Sequence, residues 1–352
     1  MAARLSAAFA AARARGVPAF VAYLTAGFPR LADTVPALLA MQAAGVDVVE
    51  LGVPFSDPMA DGGTIQASNM VALANGISLR GVLAIVKEAR AAGVTLREDN
   101  ARAARVSVRE KRKRASMRAD RARARVAQGA AIPRPGLTHI AHSSLSRYTR
   151  PPPARLPAYP PAAIVLMGYY NPLLAYGERA VADDCAAAGV DGFIVVDLPP
   201  EHSGPFLAHC DRHGLGLAPL ATPLTSDARL RAIGAVARGF VYCVSLLGVT
   251  GNRAELPPDL PEFVARVAAA IAEAPAPAVA AAGGPPPPPL PLAVGFGLST
   301  PQHVAQVGAL PGVGGVVMGT SIVKAIEAGG VDGLRAFLQS VVPRRAAPRP
   351  AE

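Results

Sequence analysis

The sequence predicts an α/β fold in which eight parallel strands close into a (β/α)8 barrel, and three observations carry that expectation. Eight apolar strand-like runs recur along the chain. An alanine-rich helical run follows each of them. A short motif also repeats at a distance that fits two strand–helix units. In chain order the strand runs are 19–25, 46–53, 163–167, 192–197, 216–220, 239–244, 292–296 and 315–318. All are short, and most are rich in Val, Ile, Leu or aromatic residues, as strands buried on both faces must be. The helical runs are 32–44, 79–92, 178–188, 202–213, 227–234, 261–273, 301–308 and 331–341. Ahead of the first strand, MAARLSAAFAAARARG predicts a short N-terminal helix packed on the domain; its Arg content and lack of acids also fit a transit peptide. The repeated motif is AGVDVVELGVP at 44–54 and AGVDGFIVVDLP at 188–199.

Two segments break the alternation. Residues 97–160 hold 16 of the 35 Lys and Arg but only four of the 25 Asp and Glu, so this segment carries +12 of a chain whose net charge is +10. The rest is mildly acidic. The first half of the segment has no apolar stripe, and its second half is rich in Pro, Ser and Arg, so a disordered insert is expected. The second segment, about 274–291, is a proline tract that favours extended polyproline backbone. Both follow a helix and precede a strand, which places them at the N-terminal face of a barrel, away from its chemistry. The single domain therefore runs from 1 to 345 around these insertions, with a disordered tail at 346–352. A basic run at 102–125 that includes KRKR resembles a nuclear-localisation patch. Without interleaved aromatics it supports only salt-sensitive, sequence-independent binding, so nucleic acid is not the expected partner.

Other signals are quieter. Cys185, Cys210 and Cys243 are odd in number and lack metal-ligand spacing, which fits reduced thiols in a cytoplasmic protein, with the plastid stroma as the alternative if the N-terminus is a transit peptide. His209 and His213 have the i, i+4 spacing of a metal pair. HCDRH lacks the glutamate of a zincin and a third ligand, so surface residues and no metal are expected. No apolar run reaches the roughly 20 residues that span a bilayer, and no membrane role is expected.

The richest stretch is VDVVELGVPFSDPMADGGTIQ, residues 46–66. Strand period puts Val48, Glu50 and Gly52 on one face, aiming Glu50 into the C-terminal end of the barrel. A carboxylate walled by apolar neighbours is pushed towards neutrality and serves as an acid or base there. No Lys or Arg occurs between Arg30 and Arg80, so a local counter-ion is missing. Asp57 and Asp61 follow in a Pro/Gly-rich loop. An acid eleven residues after Glu50 suggests two carboxylates over one substrate. Glycine-rich turns GVTG, GFG and GTS follow strands six, seven and eight, where barrels bind phosphate through backbone N–H groups. Gly251, Gly297, Gly319 and Thr320 are the phosphate candidates.

The stretch ELGVPFSDPMADG resembles the signature of the tryptophan synthase alpha chain family. AYLTAGFP, MGYYNPLLAYG, GVDGFIVVDLPPEHSGPF, GVTGNR, VGFGLSTPQHV and GVVMGTSIVKAI match further in the same order. The resemblance covers residues 1–96 and 161–345. It implies a TIM barrel and a lyase of tryptophan biosynthesis that cleaves indole-3-glycerol phosphate to indole and glyceraldehyde 3-phosphate. It implies no cofactor in this subunit, and a pyridoxal-phosphate beta chain as partner in an alpha2-beta2 assembly. Glu50 then matches the acid/base and Asp61 the carboxylate that holds the indole N–H, with Tyr23, Ile65, Tyr169, Tyr242, Thr250 and Phe296 around the substrate. Gly63 stands where the family commonly has proline, which is expected to loosen the loop after strand two. Leu246 stands where some relatives carry arginine. A phosphate-binding barrel of other chemistry, with 97–160 as a polyanion-binding appendage, is the alternative.

Overall fold

The computed structural model describes residues 3–93, 162–245, 256–275, 289–295 and 297–343. Contacts group Met1–Thr95 with Tyr159–Glu352 in one unit and Leu96–Ala158 in another. The expected insert at 97–160, most of the proline tract and the tail lie outside the described residues.

Helix α1 (Ala3–Ala14) opens the fold, followed by β1 (Ala19–Thr25), α2 (Thr34–Ala44), β2 (Val48–Gly52), α3 (Gly63–Ala74) and α4 (Leu79–Ala91). After the insert come β3 (Ala163–Gly168), α5 (Tyr170–Tyr176), α6 (Glu178–Ala188), β4 (Gly192–Val195), α7 (Gly204–His213), β5 (Gly216–Leu217) and β6 (Leu220–Ala221). The chain continues through α8 (Asp227–Val236), β7 (Val241–Val244), α9 (Leu260–Ala272), β8 (Leu292–Gly295), α10 (Pro301–Gly308), β9 (Val313–Met318) and α11 (Thr320–Val341).

All ladders between these strands are parallel, in the order β5-β4-β3-β2-β1-β9-β8-β7-β6. The nine strands correspond to the eight expected runs, because β5 and β6 are the two halves of one. The first half bonds β4, with Ala218 N donating to Phe193 O at 2.9 Å, and the second half bonds β7, with Tyr242 N donating to Pro219 O at 3.0 Å. The run from Gly216 to Ala221 is thus the seam through which the ring closes. Pro219 has no N–H to give the ladder, and the strand divides around it. Every residue of β1 and β2 is buried, as a barrel wall covered by helices requires.

Three helical segments were not legible in the sequence. The α3 and α5 segments begin in Gly- or Pro-containing stretches that read as loops. The last helix starts at Thr320 rather than 331, and its backbone leaves helical geometry at Gly329 and Gly330, so the expected helix is only its second half. Gly63, expected to loosen a loop, is instead the first residue of α3.

The AGVD repeat has a structural meaning. Gly45 and Gly189 each end a helix in the left-handed conformation, at φ 95° and 89°, where a side chain would be strained. Two residues later, Asp47 and Asp191 perform the same task at the N-terminal end of the barrel. Asp47 Oδ2 accepts from Phe20 N at 3.0 Å, and Asp191 Oδ2 accepts from Ile164 N at 2.8 Å, so each ties its own strand to the preceding one. Each also holds arginine: Arg15 donates to Asp47 at 2.6 Å, while Arg90 and Arg4 both reach Asp191. Burial pushes the Asp47 carboxyl upward, opposed by the Phe20 N–H and Arg15. Arg90 further donates to Gly189 O at 2.9 Å and Ala162 O at 3.0 Å. It therefore joins the end of α4 to the start of β3, the two described segments that flank the insert. The α1 helix closes this end of the barrel with buried Leu5, Ala8, Phe9 and Ala12; the Phe9 ring lies 5.3 Å from that of Phe240.

Candidate active site

At the C-terminal ends of the strands a cavity is lined by Tyr23, Glu50, Asp61, Ile65 and Tyr242, and by Gly297, Gly319 and Thr320. These eight residues come from distant parts of the sequence, and all were expected there. Met167, Leu298 and Val317 also line it and were missed. Met167 and Val317 sit near the ends of β3 and β9, so strand period would have found them. Thr250, Gly251 and Phe296 lie outside the described residues, as does Leu246.

Glu50 is 1% exposed, and its Oε1 has no hydrogen-bond partner. On β2 it stands beside Tyr23 of β1 and Val165 of β3, in a wall without any cation. Burial alone pushes its carboxyl up to about 8, so it is predominantly the neutral acid at pH 7.

Asp61 is also buried, at the end of the loop that leaves β2. That loop is held firmly: Asp61 N donates to Pro58 O at 3.0 Å, Gln66 Nε2 donates to Asp61 O at 2.7 Å, and Ala60 N donates to Tyr169 Oη at 2.9 Å. Tyr169 in turn donates its hydroxyl to the Asp61 carboxylate and stacks 5.3 Å from Phe55. Tyr169 therefore orients the second acid rather than lining the cavity. Burial raises Asp61 to about 6, with the Tyr169 bond working against it, so Asp61 is mostly charged at pH 7. Asp57 is exposed and lies apart from the cavity lining.

The opposite wall suits an anion. Gly319 precedes the first residue of α11, and Thr320 begins that helix, so the cavity meets a helix N-terminus whose first N–H groups have no intrahelical acceptor. Gly297, at φ 83°, turns the chain after β8 in a conformation that favours glycine. The arrangement combines a neutral acid, a carboxylate and a phosphate-compatible helix end around one apolar space.

The histidine pair resolves as two surface residues. His213 Nε2 lies 2.6 Å from Asp183 Oδ1, while His209 contacts Arg212, and no group of potential metal ligands exists among the described residues. The three cysteines are free and buried. No single helix among the described residues is long and apolar enough to cross a membrane.

A family model described as the tryptophan synthase alpha chain matches residues 9–96 and 157–281. The tryptophan synthase alpha chain of Geobacter sulfurreducens is 36% identical over 324 residues, spanning 92% of this chain and 90% of that one. The tryptophan synthase of Saccharomyces cerevisiae is 35% identical over 92% of this chain, which spans only 34% of the yeast protein. Among solved structures, Mycobacterium tuberculosis tryptophan synthase superposes with a TM-score of 0.66 at 28% identity, covering 96% of this chain and 95% of that one. The alpha chain from Legionella pneumophila gives 0.66 at 26% identity, with the same coverage.

Proposed function

The chain belongs to the tryptophan synthase alpha chain family, and on that premise we propose that its cavity cleaves indole-3-glycerol phosphate to indole and glyceraldehyde 3-phosphate, with Glu50 and Asp61 as the reacting pair. The observation that carries this reading is the pair's environment. Two buried carboxyls share one cavity, and their surroundings place them on opposite sides of pH 7.

A retro-aldol cleavage needs a proton at C3 of the indole ring and the loss of one from the hydroxyl next to the breaking bond. Glu50 enters as the acid and delivers its proton to C3. The resulting carboxylate takes the hydroxyl proton as the carbon–carbon bond opens, which returns Glu50 to its starting state. Protonation at C3 places positive charge on the ring nitrogen. Asp61, charged and oriented by Tyr169, accepts the N–H and stabilises that charge in a site poor in competing water. Tyr23, Ile65 and Tyr242 enclose the ring, with Thr250 and Phe296 assigned there by family position. The helix end at Gly319 and Thr320, with Gly297 and Gly251, takes the phosphate. None of these steps calls on a cofactor, consistent with the family.

A pyridoxal-phosphate beta chain is the partner we propose, in an alpha2-beta2 assembly. The C-terminal face supports this. Met59 after β2 is 84% exposed, Leu174 after β3 is 53% exposed and Leu224 after β6 is 78% exposed, apolar side chains on the loops that a partner receiving indole would cover. Buried, unpaired thiols suit a reducing compartment, and we propose the cytoplasm.

Glu50→Gln is the test. Indole release should fall by about three orders of magnitude while a phosphate-bearing substrate analogue still binds. Near-normal turnover would remove the assignment of Glu50.

A further inference from the structure

Behind the Tyr23 wall runs a chain of buried hydroxyls. Tyr23 Oη lies 3.1 Å from Thr25 Oγ1, Thr25 Oγ1 lies 2.6 Å from Ser68 Oγ, and Ser68 donates to Ile65 O at 2.7 Å. All three side chains are buried. The final acceptor fixes every proton. A carbonyl only accepts, so the Ser68 proton is committed to Ile65. Ser68 must then accept from Thr25, and Thr25 must accept from Tyr23. The Tyr23 proton therefore points back along β1, and its oxygen offers the cavity only lone pairs. Gly52 fixes the place of that oxygen, since a Cβ at residue 52 would lie 2.3 Å from Tyr23 Oη. Gly52 shares its strand face with Glu50, two residues away.

The titratable groups around Glu50 are Tyr23 from β1, Asp61 from the loop after β2 and Tyr242 from β7. No lysine or arginine lines the cavity. Tyr23 is thus the hydroxyl best placed to donate to Glu50, and its hydrogen bonding forbids it. We propose that the Tyr23–Thr25–Ser68 chain is a positioning device that turns the Tyr23 proton away from Glu50, so that the reacting carboxyl meets an acceptor rather than a donor and is kept as the neutral acid. The proposal rests on Glu50 as the proton carrier. It adds Thr25 and Ser68, neither of which touches the cavity, as residues that act through Tyr23.

The experiment follows Glu50 directly. The full chain is labelled with 13C at the glutamate carboxyls, Glu50 is assigned by the signal missing in Glu50→Gln, and its titration is read by NMR without ligand. Thr25→Val should lower the Glu50 pKa by about half a unit or more, because the released Tyr23 proton can bind the carboxylate. The alkaline limb of the kcat profile should move the same way. Ser68→Ala frees Thr25 to donate to Tyr23 and should act in the same direction; it serves if Thr25→Val does not fold. In a Tyr23→Phe background both shifts should vanish. An unchanged Glu50 titration in the folded variants, or an equal shift without the Tyr23 hydroxyl, overturns the proposal. Because the titration needs no turnover, it remains readable even if Glu50→Gln retains activity and the assigned role of Glu50 fails.

Discussion

At the N-terminal end of the barrel, Asp47 and Asp191 each accept a backbone N–H and hold at least one arginine. At the C-terminal end, Glu50 and Asp61 are as deeply buried and line a cavity with no cation in its wall. The same chemical group is therefore provided for in opposite ways about one strand length apart. A carboxylate with its charge and lone pairs matched is fixed in one ionisation state and acts as a structural tie. A carboxyl left without partners can exchange a proton, at a cost in stability that the rest of the fold must offset. Asp61 lies between the extremes, holding one tyrosine hydroxyl, and its pKa is correspondingly less raised than that of Glu50.

Breaking the structural end should give the largest stability loss. Arg90→Leu leaves Asp191 with only the half-exposed Arg4 and removes the bonds to Gly189 and Ala162. Loss of one partner of a buried pair costs about 3–5 kcal/mol. Denaturant unfolding should show that loss, while kcat of the folded fraction stays within about twofold of the parent, since Arg90 is remote from the cavity.

The chemical end should respond in the opposite sense. Glu50 binds its proton more tightly folded, at about 8, than unfolded, near 4.5. Its contribution to stability is therefore fully present below pH 4.5 and is lost as pH rises through 8. Glu50→Gln should abolish this decline, so the variant gains on the parent on the order of a few kcal/mol at pH 9 and nothing at pH 4. Thermal melts across that range decide it; parallel curves would mean that the folded carboxyl titrates normally. A smaller effect is expected at Asp61. Asp61→Asn keeps the hydrogen bond to Tyr169 possible but removes the charge, and kcat for indole release should fall by about a hundredfold with melting temperature unchanged or raised.

How much of this contrast could be read from the sequence differs between the two ends. Glu50 was legible because strand period gave its direction and the arginine-free stretch from 31 to 79 removed its counter-ion. The AGVD repeat was legible as a repeat but not as a device, because Arg4, Arg15 and Arg90 are joined to its aspartates only by the closure of the barrel. Phosphate glycines stood out through their turns, whereas Thr25 and Ser68 look like ordinary polar residues until folding places their oxygens 2.6 Å apart. The fifth strand read as one run since composition does not report where Pro219 interrupts a ladder. Helices α3 and α5 were hidden because their first turns carry the glycine or proline that marks a loop elsewhere.

Gly63 offers the finest test of the contrast, since it lies between the two regimes: two residues past Asp61, at the start of the helix that carries Ser68. Family members commonly have proline there, and the local geometry accepts it. Gly62 precedes the helix in extended backbone, which is the conformation proline demands of its predecessor, and Gly63 occupies the first helical position, where an N–H has no intrahelical acceptor. A Cβ at Gly63 meets nothing within 4 Å. Gly63→Pro should therefore stabilise the chain by about 0.4–1 kcal/mol, through fewer unfolded conformations rather than new contacts. If firmness of the loop after β2 also governs how well Asp61 is held, KM for indole-3-glycerol phosphate should fall slightly while kcat changes by less than about twofold. A destabilised variant would show that Gly63 N–H is needed in the native state. A stabilised variant with unchanged KM would show that the bonds from Tyr169 and Gln66 already hold Asp61 without help from the helix start.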